Sequence, residues 1–343
     1  MSTLQIGLAV AGGVVLAAVV AHGAWTSRKM APRQAEPEER TGKSAGVDAE
    51  SRIEPEGFTA DNFPVPPPEK KANLDALIDV IAPVVLDGPV SGDAALAAMP
   101  ATRRAGSKPF AVEGMNGASH QWEAPLPGQR YAAFQAGVQL ANRSGALNEI
   151  EYSEFVVKAQ EFSDAIGGTP DFPDMLEEVA RARELDQFAS AHDAQLGFTL
   201  RARSAAWSPG YVQQHAARLG FVAGALPGRM VLASSVAGMP PVLTLGFDTQ
   251  AALAEDPAQA AIREVSLALD VAQVDRGEQP FVRLRESAGA LAQAMDGVIT
   301  DDNGQVLPKD AMDVIGSELE SLYDTLEQRD LAAGSALARR LFS

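Results

Sequence analysis

The longest apolar stretch of this chain lies at its N-terminus, from Leu4 to Trp25. Residues 6–21 within it carry no charged or strongly polar side chain. A helix over the whole stretch rises about 33 Å, enough to cross a hydrocarbon core of about 30 Å. Arg28, Lys29 and Arg33 follow the stretch, and no basic residue precedes it. The positive-inside bias therefore predicts that residues 1–27 form a single-pass anchor, with the N-terminus outside and the remainder in the cytoplasm.

A cleaved signal peptide is the alternative interpretation of the same stretch, because residues 21–23 are small enough for a cleavage site. The missing positive charge before the stretch favours the anchor. Small residues recur at every fourth position of the predicted helix: Ala9, Gly13, Ala17 and Ala21. Such a ladder suggests an anchor-mediated dimer, although anchors are commonly rich in alanine and glycine.

Composition excludes several function classes for this chain of 343 residues. Its formal net charge of −17 argues against nucleic-acid binding, which depends on basic side chains that neutralise phosphates. It contains no cysteine, so disulfides, thiolate catalysis and cysteine-zinc sites are excluded.

Residues 28–72 are polar, charged and rich in proline. Such a segment buries too little apolar surface to offset its chain entropy, so we expect a disordered linker. Residues 63–68 have the composition of a stiff polyproline spacer. A docking motif for a proline-binding module is the alternative.

Two similar series of strands and helices follow, over residues 74–190 and 193–330. Period-two alternation predicts strands such as Gln195–Arg201, Val242–Phe247 and Glu264–Val271. In the first series, helices are expected over residues 91–104 and 154–166. In the second, apolar residues spaced by three and four predict helices over residues 281–295 and 312–326.

We predict an α+β fold in which each series forms an antiparallel sheet with helices on one face, as after a duplication. The other face of each sheet would then be open. For residues 331–343 we expect a frayed tail, with a short contact helix as the alternative.

The sequence shows no constellation for catalysis or metal binding. The four histidines lack ligand spacing. Residues 117–121 end in Gln instead of the glycine of a nucleophile elbow. Residues 299–310 lack the opening carboxylate of a calcium loop. We therefore predict no enzyme activity, no catalytic residue, no cofactor and no metal.

The uncovered face of the second predicted sheet is the candidate site. Small side chains on neighbouring strands form a shallow trough suited to a short apolar peptide. An ordinary solvated sheet face is the alternative. The candidate residues in this unit are Gly197, Thr199, Leu226, Val242, Thr244, Gly246, Ser266 and Ala268. Met115, at the end of a strand, is the candidate in the first unit.

The layout of anchor, proline-bearing linker and C-terminal domain resembles the ZipA family of bacterial cell-division proteins. Within residues 288–330, an alanine-rich helix ends in Asp296-Gly297-Val298 and is followed by Asp301-Asp302 and Leu307-Pro308-Lys309, as in the closing segment of the ZipA domain. Leu140-Ala141-Asn142 is similar to a strand signature of that domain.

The resemblance implies a non-enzymatic adaptor that binds the C-terminal tail of FtsZ on an open sheet face of a split β-α-β domain. Its anchor would tie the FtsZ ring to the bacterial inner membrane at the division site. By position, Leu226, Thr244, Gly246 and Ala268 would line the groove. The chain departs from the family at Asp248 and Ala268, where relatives have large Met and Phe side chains, and at Arg143. The duplication and the short linker also depart from it.

Two other function classes remain open at this point. The first is an envelope scaffold that binds a different peptide or self-associates through its sheet faces. The second is a secreted enzyme released from a signal peptide.

Overall fold

The computed structural model describes residues 32–35, 74–301 and 303–343. The predicted anchor over residues 4–25 and most of the predicted linker lie outside these residues. No helix in the described part of the chain is long and apolar enough to span a bilayer. The chain divides into two compact units. We name them unit N, residues 74–191, and unit C, residues 192–342, to which residues 32–35 also belong.

Unit N is an antiparallel sheet with the strand order β3-β4-β6-β1-β9. The short strands β2 and β5 pair with β6 and β4, and β7 and β8 form a separate hairpin. In chain order the elements are β1 (Asp79–Leu86), β2 (Val90–Ser91), α1 (Gly92–Ala98), β3 (Arg104–Ala105), β4 (Lys108–Asn116), β5 (Trp122–Glu123), β6 (Arg130–Gln139), β7 (Ala141–Asn142), β8 (Gly145–Ala146), α2 (Glu149–Ile166), β9 (Gly168–Pro170) and α3 (Met175–His192).

Aromatic side chains join α2 to one face of this sheet. The ring of Phe162 meets the ring of Phe134 edge-on, with centroids 5.5 Å apart. Phe155 lies 6.1 Å from Phe110 by the same measure. All four side chains are buried, so this face of the sheet forms the core of unit N.

Local chemistry sets the ends of the helices in unit N. Asn148 and Glu151 form a capping box, so α2 begins at Glu149, before the predicted start at residue 154. Helix α1 ends at Ala98 and not at the predicted residue 104. Met99 is extended because it precedes Pro100, whose ring disfavours a helical conformation there.

Unit C is a six-stranded antiparallel sheet with the order β11-β12-β13-β14-β10-β15. The ring of Phe281 on α6 packs against Phe198 on β10, with centroids 6.4 Å apart. Its elements are β10 (Gln195–Ala202), α4 (Pro209–Ala217), β11 (Val222–Ala223), β12 (Arg229–Leu232), β13 (Leu243–Gly246), α5 (Thr249–Ala252), β14 (Glu264–Asp270), two short 3-10 turns, α6 (Pro280–Met295), β15 (Gly297–Thr300), α7 (Lys309–Glu327) and α8 (Ala336–Leu341).

The two units share one connectivity. In each, the first strand leads through a helix into an antiparallel meander, and a long helix, a short strand and a further helix follow, after which unit C adds the short helix α8. The first strand lies between the last meander strand and the short strand: β1 between β6 and β9, and β10 between β14 and β15. The meander of unit C is one strand longer than that of unit N. The chain is therefore α+β with antiparallel sheets.

Two segments differ from the sequence expectations. Arg33, within the predicted disordered linker, pairs with the backbone of unit C. The predicted frayed tail contains helix α8, which Ser335 caps and whose Ala338 and Leu341 are buried. Gln273 donates to the backbone oxygen of Phe342 at 2.7 Å. The tail is ordered because it buries these apolar side chains and satisfies a side-chain donor.

Candidate functional site

Six of the predicted site residues form one block on the open face of unit C. Thr244 pairs with Ala268, and Ala268 pairs with Gly197. In the adjacent row, Gly246 pairs with Ser266, and Ser266 pairs with Thr199. The three strands β13, β14 and β10 thus bring two rows of small side chains together in the middle of the sheet.

Alternation along each strand explains why the block faces outward. The residues between the block positions, Leu245, Leu267 and Phe198, are buried in the core of unit C. Because successive side chains of a strand point to opposite faces, their neighbours must point away from the core. The period-two pattern in the sequence therefore carried enough information to place these six residues.

Val242 does not belong to this face. Only 1% of its surface is exposed. It lies just before β13, and its backbone N–H donates to the oxygen of Leu232 at 2.8 Å. The alternation begins at Leu243, which is also buried. The prediction that Val242 points outward with Thr244 was wrong, because it extended the strand pattern by one residue too many.

Apolar and charged side chains flank the block on unit C. Val222, on the edge strand β11, continues the row of Thr244 across β12. It is 55% exposed. Leu226, 64% exposed, lies in the turn between β11 and β12. At the opposite corner, Arg201 and Glu264 form an ion pair at 3.2 Å.

Unit N also exposes one face of its sheet, and this face is more apolar. Met115 pairs with both Trp122 and Ala133, and all three side chains are partly exposed. Val85 lies on the neighbouring strand β1, at the level of Ala133, and is 67% exposed. We name this set of Val85, Met115, Trp122 and Ala133 the apolar row.

The other end of this face is closed by Leu74. The Leu74 side chain packs directly against the strand at Gly137. A β-carbon at this position would lie only 2.5 Å from Leu74 Cδ2, so the close approach requires glycine. The Glu113 carboxylate accepts a bond from the Leu74 N–H at 3.2 Å and one from Gln135 Nε2 at 2.9 Å. Leu74 and Glu113 are both buried. The open part of the face is therefore the apolar row, beside Pro83.

The sequence indicated Met115 as a site residue but did not indicate the other members of the apolar row. Residues 78–86 form a nearly continuous apolar run, which does not show which side chains face outward. Trp122 lies in a two-residue strand, too short for a periodic signal. The pairing partner of Met115 was the missing information.

In both units, burial and hydrogen bonds shift the pKa values of individual side chains. Burial lowers the pKa of Lys108. Hydrogen bonds from Ser235 and Ser234 hold the pKa of Glu278 below its usual value.

Among the described residues, no group of three or more His, Cys, Asp or Glu side chains has the arrangement of a metal site. What the two open faces offer is apolar contact over a shallow surface, which suits a peptide.

No family model matches the chain, and no curated protein matches it either.

Proposed function

We propose that the chain is a membrane-tethered, non-enzymatic adaptor of the ZipA type. In this proposal it binds the C-terminal tail of FtsZ on an open sheet face, and the segment of residues 4–25 anchors the complex in the inner membrane. The observation that supports it is the uncovered sheet face of each unit, opposite the helices that form the core. A large contiguous patch of exposed apolar side chains on a folded protein marks an interaction surface.

The apolar row of unit N is the first candidate for the peptide site. Its Met, Trp and Val side chains present more apolar surface than the Gly, Ala, Ser and Thr block of unit C. Burial of about 300 Å² of apolar surface contributes about 7 kcal/mol before the costs of ordering a peptide, which corresponds to micromolar affinity or weaker. Weak contacts are sufficient for this role, because a filament and a membrane both raise the effective concentration.

The block on unit C is the second candidate site. Its small side chains leave room for large apolar side chains of a peptide, and Val222 and Leu226 flank it. The alternative function, an envelope scaffold that binds a different peptide or self-associates, would use the same exposed faces. Self-association predicts that complex formation depends on the concentration of the chain and not on added peptide.

Titration of the full chain in nanodiscs against a labelled FtsZ C-terminal peptide tests the proposal. Saturable micromolar binding, read by fluorescence polarisation, is expected, and a scrambled peptide of the same composition is the control. Equal binding of both peptides, or no binding at several hundred micromolar chain, would refute the FtsZ assignment. Analytical ultracentrifugation of the full chain in detergent tests the self-associating scaffold, since it reports self-association directly.

A further inference from the structure

The backbone of Arg33 pairs with unit C. The N–H of Arg33 donates to the oxygen of Ala206 at 2.7 Å, and the N–H of Ser208 donates to the oxygen of Arg33 at 2.8 Å. Trp207 lies between Ala206 and Ser208 in the chain and forms two backbone hydrogen bonds of 2.8 Å with Ile262. Arg33 pairs with Trp207 in a parallel bridge and so adds a third backbone segment to this pairing.

The Arg33 side chain binds the C-terminal end of helix α6. One guanidinium nitrogen donates to the backbone oxygen of Met295 at 3.1 Å, and another lies 2.8 Å from Asp296 Oδ2. A cation at this end of a helix interacts favourably with its free carbonyl groups. Hydrogen bonds from Ser204 and from Arg33 hold the pKa of Asp296 below its usual value.

The other three residues of the segment also lie close to the described structure. Pro32 is buried. Gln34 Nε2 donates to the backbone oxygen of Ala258 at 3.4 Å. A side-chain carbon at Gly210 would lie 3.7 Å from Ala35 Cβ. Arg33 and Gln34 thus bond to unit C and Ala35 lies beside Gly210, although the composition of the surrounding sequence is that of a linker.

We propose that residues 32–35 form a strap that holds unit C close to the bilayer. The strap itself follows from the contacts above, and its position at the membrane rests on the proposed anchor. From Trp25 to Arg33 the chain can span at most about 28 Å, even when fully extended. A free tether over residues 28–72 would instead span up to about 150 Å.

Engineered cysteines test the strap without interference, because the chain has no cysteine of its own. The separation of 3.7 Å between Ala35 Cβ and an added carbon at Gly210 matches the usual distance between the β-carbons of a disulfide. We expect the full chain with Ala35→Cys and Gly210→Cys to form an intramolecular disulfide under mild oxidation. The matched control combines Ala35→Cys with Gly289→Cys, an exposed position where an added carbon has no atom of the described residues within 4 Å.

The disulfide of the 35–210 pair should form at least tenfold faster than that of the control, as read by peptide mass mapping of non-reduced digests. Adding Arg33→Ala to the 35–210 pair should slow its formation several-fold, because the guanidinium no longer binds Met295 and Asp296. Equal rates for the 35–210 pair and the control would overturn the strap. That result would be independent of whether the FtsZ peptide binds.

Energy transfer in nanodiscs tests the position of unit C. A donor dye on Gly289→Cys and acceptor-labelled lipids should give efficient transfer, and Arg33→Ala should reduce it. If the disulfide assay supports the strap but Arg33→Ala leaves the transfer efficiency unchanged, the membrane-proximal placement is overturned. A peptide-binding assay on the same samples separates this outcome from failure of the adaptor function.

Discussion

The ammonium group of Lys108 is buried, and it donates to Asn142 Oδ1 at 2.8 Å and to the backbone oxygen of Gly145 at 2.6 Å. The same Oδ1 accepts the N–H of Ser144 at 3.0 Å. Lys108 lies at the start of β4, and Asn142 and Gly145 lie in the β7–β8 hairpin. Asn142 thus joins this hairpin to the edge of the sheet, which gives this residue a structural role.

Asn142→Leu should destabilise unit N by about 2–4 kcal/mol, because a buried ammonium group would lose one of its acceptors. Urea unfolding followed by Trp122 fluorescence measures this cost, with Trp25 and Trp207 replaced by Phe. The double variant with Lys108→Met should recover part of the loss, since the buried charge is then absent. A double variant less stable than Asn142→Leu alone would contradict this account.

Val85→Glu should weaken binding of the FtsZ peptide at least tenfold if the apolar row is its site. A carboxylate there would be desolvated against apolar side chains of the peptide. Val85 is exposed, so the fold should tolerate the change. Val222→Glu is the matched control, because it places the same charge at a similarly exposed valine on the open face of unit C. Loss of binding in Val222→Glu alone would move the site to unit C.

The strand pattern of unit C could be predicted from the sequence because it alternates strictly. On β14 the buried residues are Val265, Leu267 and Leu269. Their spacing of two places Ser266 and Ala268 on the open face. The prediction failed at the start of β13, where the alternation ends and two consecutive residues, 242 and 243, are both buried.

Other features depend on contacts that no periodic pattern reveals. The backbone pairing of the strap depends on Arg33, whose partners Trp207 and Met295 are distant in sequence. The apolar row needs the pairing of Met115 with its neighbours on β5 and β6. The start of α2, by contrast, was visible in the sequence as Asn148 followed three residues later by Glu151, which is a capping-box pattern.

Gly114→Ala should destabilise unit N by about 1–3 kcal/mol through overpacking. An added carbon at Gly114 would clash with Tyr131 Cδ1 and lie 2.8 Å from a ring carbon of Phe134, and both rings are fully buried. Gly88→Ala is the control, because within the described part of the chain nothing lies within 4 Å of an added carbon there. Urea unfolding followed by Trp122 fluorescence compares the two variants. Equal stability of the two would show that the rings move aside at little cost.

Tyr323→Phe should leave unit C as stable as the wild type near neutral pH, or slightly more stable. The hydroxyl of Tyr323 on α7 is buried and has no hydrogen-bond partner among the described residues, so its removal relieves a desolvation cost. Arg276 lies over the ring, 5.7 Å from its centroid, and the phenylalanine ring keeps this contact.

The two proteins should differ in alkaline solution. Burial raises the pKa of Tyr323 from 10.0 to about 12. Between these values the unfolded chain loses the phenolic proton while the folded chain keeps it, so the unfolded state binds fewer protons and stability falls as pH rises. From about pH 9 to about pH 11 the wild type should therefore lose about 1 kcal/mol more than Tyr323→Phe. Urea unfolding followed by Trp207 fluorescence, with Trp25 and Trp122 replaced by Phe, measures this difference. Parallel pH profiles for the two proteins would show that the Tyr323 hydroxyl ionises as readily in the folded state as in the unfolded chain.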